Sequence, residues 1–170
     1  MPTESPQNHE IDLAALLKHL NQSKIEFVVV GGLAAVIQGA PITAFDLDIV
    51  HLQTNENIQK LASLLESLNA YQRCPDNKII KPTSEHLSAK GHLLLNTNYG
   101  PLDILAVIEQ NKGYKDLLND VVEIEIQDMK IKVLSLEAIV KLKKFSKDNR
   151  DKQRLPVLEE TINQKNNKTE

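Results

Sequence analysis

Apolar and polar positions along this chain follow two different periods, and the switches between them mark out its elements. Between positions 11 and 21, Leu13, Leu16, Leu17 and Leu20 recur at helical spacing with Ala14 and Ala15 among them, which predicts an amphipathic helix. "KIEFVVVGG" is then a β-branched run that stops at a glycine pair, and "LAAVIQ" after it reads as a short helix. "FDLDIVHL" alternates acidic and apolar residues, the period of a strand with two unlike faces. Thr54 or Asn55 caps a helix that carries Ile58, Leu61, Ala62, Leu65 and Leu68 on one side. "QRCPDNKIIKPTSEHLSAK" mixes prolines with polar residues and reads as a loop with at most one short strand. "HLLLNTNYGPLDILAVI" predicts two strands joined at "NTNYG", and "VVEIEI" with "KIKVL" predicts a second hairpin around "QDM". Ser135 is placed to cap a helix over 136–145, and a last helix follows Asp151. Helices alternating with strands predict one α/β (α+β) domain, a mixed β-sheet flanked by helices, over residues 10–160. The polar ends, 1–9 and 161–170, are expected to be flexible.

Composition narrows the class. A chain of 170 residues can bury about 68–70% of its unfolded surface in one domain. With 41% hydrophobic and 25% charged residues it has the make-up of a globular protein. A net charge of −3 gives no overall pull toward nucleic acid or an anionic membrane. Tryptophan is absent and aromatics make up only 4%, which argues against a stacking platform for single strands. The longest apolar run, 27–37, is too short to cross a bilayer and contains two glycines, so no membrane partner is expected. "MPTESPQNHE" lacks the basic and apolar regions of a signal peptide. Cys74 stands alone, which excludes an internal disulfide and a thiolate zinc cage. The simple expectation is a cytoplasmic protein.

The acids carry the chemistry. Asp46 and Asp48 lie two apart, so on a strand both side chains share one face while Leu47 and Ile49 take the other. Their Cα atoms would stand about 6–7 Å apart. At an effective dielectric of about 20 that repulsion is on the order of 2–3 kcal/mol, or about two pKa units. A fold tolerates this if the acids are solvated, share a proton or bind a cation. Hard oxygen ligands of this kind suit Mg²⁺ or Mn²⁺. Asp103 in "PLDIL" has the same context, one aspartate between apolar neighbours. If its strand lies beside the "DLD" strand, three carboxylates converge as in two-metal phosphoryl or nucleotidyl transfer. A single alternating aspartate usually just solubilises a sheet face. Three in matched contexts beside Gly31 and Gly32 argue for a site. Glycines at that position let backbone N–H groups approach a phosphate. Their spacing is neither the dinucleotide fingerprint nor a P-loop.

"VVGGLAAVIQGAPITAFDLDIV" followed by "PLDIL" resembles the polymerase-β-type nucleotidyltransferase superfamily. The shared pattern is a strand, a Gly-Gly or Gly-Ser pair, a short helix, an acid-apolar-acid strand and a third acid on a neighbouring strand. Within it the sequence is similar to a small bacterial group that includes abortive-infection-type nucleotidyltransferase toxins. "SLEAIVKLKKF" matches that group's later helix, with Lys143 on its lysine, and "RDKQRLPVL" matches the terminal segment, with Arg150 and Asp151 where Lys-Asp is usual. The resemblance spans roughly 27–158. Three positions depart from it: Ile42 stands where an arginine is common, Gly32 replaces a frequent serine, and Arg154 sits where an acid is frequent.

The resemblance implies transfer of a nucleoside monophosphate from a nucleoside triphosphate to an acceptor hydroxyl on tRNA, protein or a small molecule. Asp46, Asp48 and Asp103 would be the catalytic and metal-binding acids, with Mg²⁺ (or Mn²⁺) as the ion. Gly31, Gly32 and Lys143 would bind the nucleotide's phosphates, and a toxin-like member would have an antitoxin partner. The alternative is a catalytically silent nucleotidyltransferase-fold module that only binds. Lys141, Lys143, Lys144, Lys147, Arg150, Lys152 and Arg154 crowd one stretch against Asp148 and Asp151. They form either a solvated helix face or a positive wall for phosphates. His51 reads as structural or exposed, and His86 and His92 lack a second ligand at metal spacing.

Overall fold

The computed structural model of the chain describes residues 10–76 and 78–168, so the expectation for residues 1–9 lies outside the described residues. Among the described residues seven strands run in chain order: β1 (Phe27–Val30), β2 (Leu47–His51), β3 (Tyr71–Gln72), β4 (His92–Thr97), β5 (Gly100–Leu105), β6 (Val121–Ile126) and β7 (Met129–Leu134). The helices are α1 (Leu13–Gln22), α2 (Gly31–Ile37), α3 (Asn55–Ser67), α4 (Ser84–Ser88), α5 (Tyr114–Leu117), α6 (Leu136–Lys143) and α7 (Asn149–Lys168). All seven strands join one sheet in the order β3-β4-β5-β2-β1-β7-β6. The β2–β5 and β1–β7 pairs are parallel and the other pairs antiparallel, so the sheet is mixed as the sequence predicts.

The core sits on the central strands. Every residue of β1 is buried, and in β2 only Asp48 is not. Each fully buried Val, Leu or Ile there contributes about 1.5–3 kcal/mol. Buried polar side chains then fix the layers. Asn57 donates to the carbonyls of Glu26 (3.0 Å) and Leu52 (2.7 Å) and accepts from the Glu26 N–H, which clamps the start of β1 to the end of β2. Gln38 donates to Ala34 O (2.9 Å) and Leu134 O (2.8 Å) and accepts from the Leu136 N–H, which ties α2 to the turn between β7 and α6.

Three local outcomes differ from the sequence reading. The acid-bearing strand begins at Leu47, so Asp46 sits one residue before it. The loop after β3 contains α4, which Thr83 nucleates by a capping box with His86. A five-residue helix carries too few apolar positions to show a period. α7 begins at Asn149 and runs to Lys168, past the point where the polar composition suggested a frayed end. Among the described residues no helix is long and apolar enough to cross a membrane.

Candidate active site

The acids are set by strand register. On β2, Leu47 and Ile49 are fully buried on one side, which turns Asp48 to the other. Because β2 and β5 are parallel neighbours, Asp48 pairs directly with Asp103. Asp46 joins them from the residue before the strand. One carboxylate oxygen from each of Asp46, Asp48 and Asp103 lies within 4.8 Å of the others. The convergence that the sequence made conditional on strand order is therefore present.

β1 delivers the glycines to the same place. Val30 pairs with Asp48, so Gly31 follows directly beside that carboxylate. Gly31 has φ +72°, and a Cβ there would collide with Asp48 Oδ2. Glycine is therefore required twice at this position, by backbone conformation and by space. A Cβ at Gly32 would stand 3.4 Å from Arg154 Nη1.

The acids crowd each other. The Asp48 carboxyl is pushed up to about 8, first by burial and then by the charges of Asp46 and Asp103. Asp46 is also raised, again by burial first and then by Asp103. The Arg73 guanidinium opposes both shifts. Three hard carboxylate oxygens in one small volume, two of them reluctant to ionise together, fit a divalent cation such as Mg²⁺ or Mn²⁺.

A basic wall faces the acids. α6 buries Leu136, Ile139, Val140 and Leu142, and this sets Lys143 at its last turn toward α7. Lys143 Nζ donates to Asp151 Oδ1 (2.7 Å), and Ser146 Oγ donates to Asp151 Oδ2 (2.7 Å). Burial alone would raise Asp151, but bonds from Lys143 and Ser146 and the charges of Lys143 and Arg154 bring it below the ordinary carboxylate range. A cleft of about 590 Å³ runs between the two walls. Asp46, Asp48, Gly31 and Gly32 line it together with Lys143, Arg150 and Arg154.

Each residue singled out in the sequence can now be located. Asp46, Asp48, Asp103, Gly31 and Gly32 come together, and Lys143 lines the same cleft with its ammonium held by Asp151. The rest of the basic stretch divides: Lys141, Lys147 and Lys152 are exposed, and Lys144 reaches toward Glu159 on the surface. Ile42 packs against the core, half-buried. His51 is buried, and its Nε2 proton goes to Leu87 O at 2.8 Å, since a carbonyl can only accept. Burial holds its pKa low, so it is a structural histidine. His86 Nδ1 accepts from the Thr83 N–H in the α4 cap.

Sequence reasoning missed Arg73. Its Nη2 donates to Asp103 Oδ1 at 2.5 Å, and its Nη1 donates to Leu95 O at 3.1 Å. Strand register, which the sequence does not state, places it there. Gln72 pairs with Leu95, so Arg73 falls opposite Leu94, and Leu94 pairs with Asp103. Residues in one transverse row share a face.

No protein-family model matches the sequence, and no curated protein matches it significantly. Solved structures do. A lincosamide antibiotic adenylyltransferase, LnuA, bound to lincomycin is 18% identical, with 86% of this chain and 94% of that one covered at a TM-score of 0.58. ANT(2")-Ia in complex with adenylyl-2"-tobramycin is 11% identical over 88% of this chain and 87% of that one, TM-score 0.55. An antigenic nucleotidyltransferase-like protein from Paracoccidioides brasiliensis is 17% identical over 85% and 72%, TM-score 0.54. At identities this low the likeness is one of fold: the chain has the nucleotidyltransferase fold.

Proposed function

We propose that this protein is a metal-dependent nucleotidyltransferase that moves a nucleoside monophosphate from a nucleoside triphosphate to an acceptor hydroxyl. One observation carries the reading: three carboxylates lie within 4.8 Å of one another, and two of them, Asp46 and Asp48, line a cleft shared with Lys143 and Arg154, in the fold of known nucleotidyltransferases. Asp46 and Asp48 would hold the divalent ion, and Asp103 would face the incoming hydroxyl. Bound there, the ion supplies charge neutralisation for the triphosphate. Gly31 and Gly32 leave the backbone open to phosphate oxygens, because any side chain at Gly31 would strike Asp48. Lys143 and Arg154 offset the charge of the departing pyrophosphate from the opposite wall. These groups are held in place before substrate arrives, so positioning and electrostatics supply most of the rate.

Two acceptor classes divide the finer reading. Small hydroxylated molecules are suggested by the antibiotic adenylyltransferases of like fold. tRNA or protein is suggested by the toxin-like group that the sequence resembles, and growth arrest relieved by a neighbouring antitoxin gene would mark that class.

Thermal melting with nucleotides tests the core reading. Mg²⁺ and a nucleoside triphosphate together should stabilise the fold more than either alone, by about 2.7 kcal/mol at about 100 times Kd. For a chain of this size the melting shift is roughly 5–10 °C. The doubly substituted Asp46→Asn, Asp48→Asn protein should stay folded and lose the joint shift. A joint shift without pyrophosphate release in any acceptor screen would favour the silent binding module. No joint shift with any of the four nucleotides, under Mg²⁺ or Mn²⁺, would sink the proposal.

A further inference from the structure

One transverse row of the sheet contains Val30, Asp48, Asp103 and Leu94, each directly paired with the next. Arg73 extends the row beyond the end of β3, its N–H donating to Leu94 O at 2.9 Å. It therefore shares a face with Asp103 from two strands away, a backbone separation of about 9–10 Å. Its long side chain closes that gap, and Leu94, 42% exposed, stands between the two in the row.

Three bonds fix the arginine: the backbone bond to Leu94 O, the Nη1 bond to Leu95 O, and the Nη2 bond to Asp103 Oδ1. The first two hold it to β4 whether or not Asp103 is engaged. A guanidinium keeps its charge at every accessible pH and has no acceptor atoms, so it cannot itself ligate a metal. It stands instead where a cation beside Asp103 would stand. Among the described residues neither Asp46 nor Asp48 forms an ion pair. The three acids are thus unequal: one carries a permanent organic cation, and two do not.

We infer that Arg73 takes the place of a second divalent ion, so that this site holds one metal, on Asp46 and Asp48, and matches Asp103 with a guanidinium. The inference rests on the metal-dependent reading above. A second ion on Asp103 would have to break the 2.5 Å bond and settle against a positive charge tethered to β4. The arrangement leaves Asp103 hydrogen-bonded and oriented before any ligand arrives, which suits a group that must receive an acceptor hydroxyl at a fixed angle.

Counting ions by equilibrium dialysis against Mn²⁺ alone tests this on the full chain. The unmodified protein should bind one Mn²⁺ per chain, Arg73→Gln should bind two, and Arg73→Lys should remain at one. Adding Asp103→Asn to Arg73→Gln should return the count to one, which locates the second ion on Asp103. Circular dichroism melting establishes that each variant is folded. Should Arg73→Gln fail to fold, Asp103→Asn alone decides: it should still bind one Mn²⁺ per chain at saturation. A folded Asp103→Asn protein that binds no Mn²⁺ would overturn the inference. So would two ions on the unmodified protein, or one on a folded Arg73→Gln, and either result leaves the metal-dependent reading standing. No Mn²⁺ on any variant would overturn both.

Discussion

Asp48 and Asp151 look into one cleft from opposite walls, and the fold shifts their protonation in opposite directions. Asp48 is raised to about 8 by burial and by two acidic neighbours. Asp151 is held below its ordinary range because Lys143, Ser146 and Arg154 surround it. Both are partly buried, so burial alone does not separate them. The difference lies in who supplies the positive charge. Asp151 receives its cation from a helix of the same chain, eight residues away. Asp46 and Asp48 receive only the indirect field of Arg73, whose own bond is to Asp103. A carboxylate with its cation built in holds two helices together. Carboxylates crowded without one are costly unless a cation comes from outside, and such strained groups in a cleft are where function is sought.

The sharpest way to break this contrast is to titrate it. Without divalent ions, the folded protein keeps a proton on Asp48 over a window from the unfolded value of 3.8 up to about 8, while the unfolded chain has released it. The folded state then binds more protons, so stability is greatest below that window and falls as pH rises through it, with Asp46 adding in the same sense. The slope from one such group approaches about 1.4 kcal/mol per pH unit as an upper bound. Asp48→Asn should flatten the slope, measured by chemical denaturation at steps between pH 5 and pH 9. Saturating Mg²⁺ should also flatten it in the unmodified protein and release a proton on binding, which calorimetry in buffers of different ionisation enthalpy detects. An unchanged slope in Asp48→Asn would mean that the crowding of the acids is not felt in solution.

The next effect separates the glycine from the acids it serves. Gly31→Ala places a Cβ on Asp48 Oδ2 in a left-handed backbone conformation. The backbone strain alone costs roughly 1–3 kcal/mol. The displaced carboxylate should weaken Mn²⁺ binding about 10-fold, comparable to loss of a supporting group. Gly32→Ala meets Arg154 Nη1 at 3.4 Å, the end of a flexible side chain, and Ala44 Cβ at an ordinary 3.7 Å, and should cost far less. Equal losses for the two variants, in melting temperature and in Mn²⁺ affinity, would remove the special place given to Gly31.

How far the sequence carried this picture follows from the kind of order each wall uses. The acidic wall rests on period two. Leu47 and Ile49 inward with Asp48 outward is a local pattern, and Leu102 and Ile104 repeat it around Asp103. Only the parallel pairing of β2 with β5 had to be assumed, because alternation says which face a residue takes and not which strand lies next to it. Arg73 was out of reach for a related reason. It follows a two-residue strand in a stretch of prolines and polar residues, and its role depends on β3 and β4 being in one register. The basic wall was legible only as charge. Seven cations in fourteen positions cannot say which face the cleft, and Asp151 looked like an opposing charge when it is in fact the anchor of Lys143.

The smallest expected effect tests that anchor. Asp151→Asn removes the charge that pairs with Lys143 but keeps the shape, and asparagine can still accept from Ser146 Oγ. The pair lies at the margin of the cleft, with the Lys143 and Asp151 side chains 15% and 21% exposed, so solvent screens part of its strength. The loss at pH 7 should be about 1 kcal/mol. Its pH signature is the reverse of the Asp48 one. A lowered carboxylate contributes stability above its unfolded value of 3.8, and that contribution disappears as pH falls through the still lower folded value. Asp151→Asn should therefore weaken the protein at neutral pH and remove part of its acid sensitivity, leaving the slope between pH 5 and pH 9 untouched. Binding distinguishes anchor from ligand. Lys143→Met takes a positive charge from the wall and should weaken tripolyphosphate binding about 10-fold, the size of one charge-assisted contact, with little change for a nucleoside monophosphate. Asp151→Asn frees the same ammonium from its partner and should leave tripolyphosphate affinity equal or higher. If both variants lose tripolyphosphate affinity together, Asp151 serves the phosphates by positioning Lys143. If neither does, the wall opposite the acids is structural, and the contrast between the two aspartates is one of packing alone.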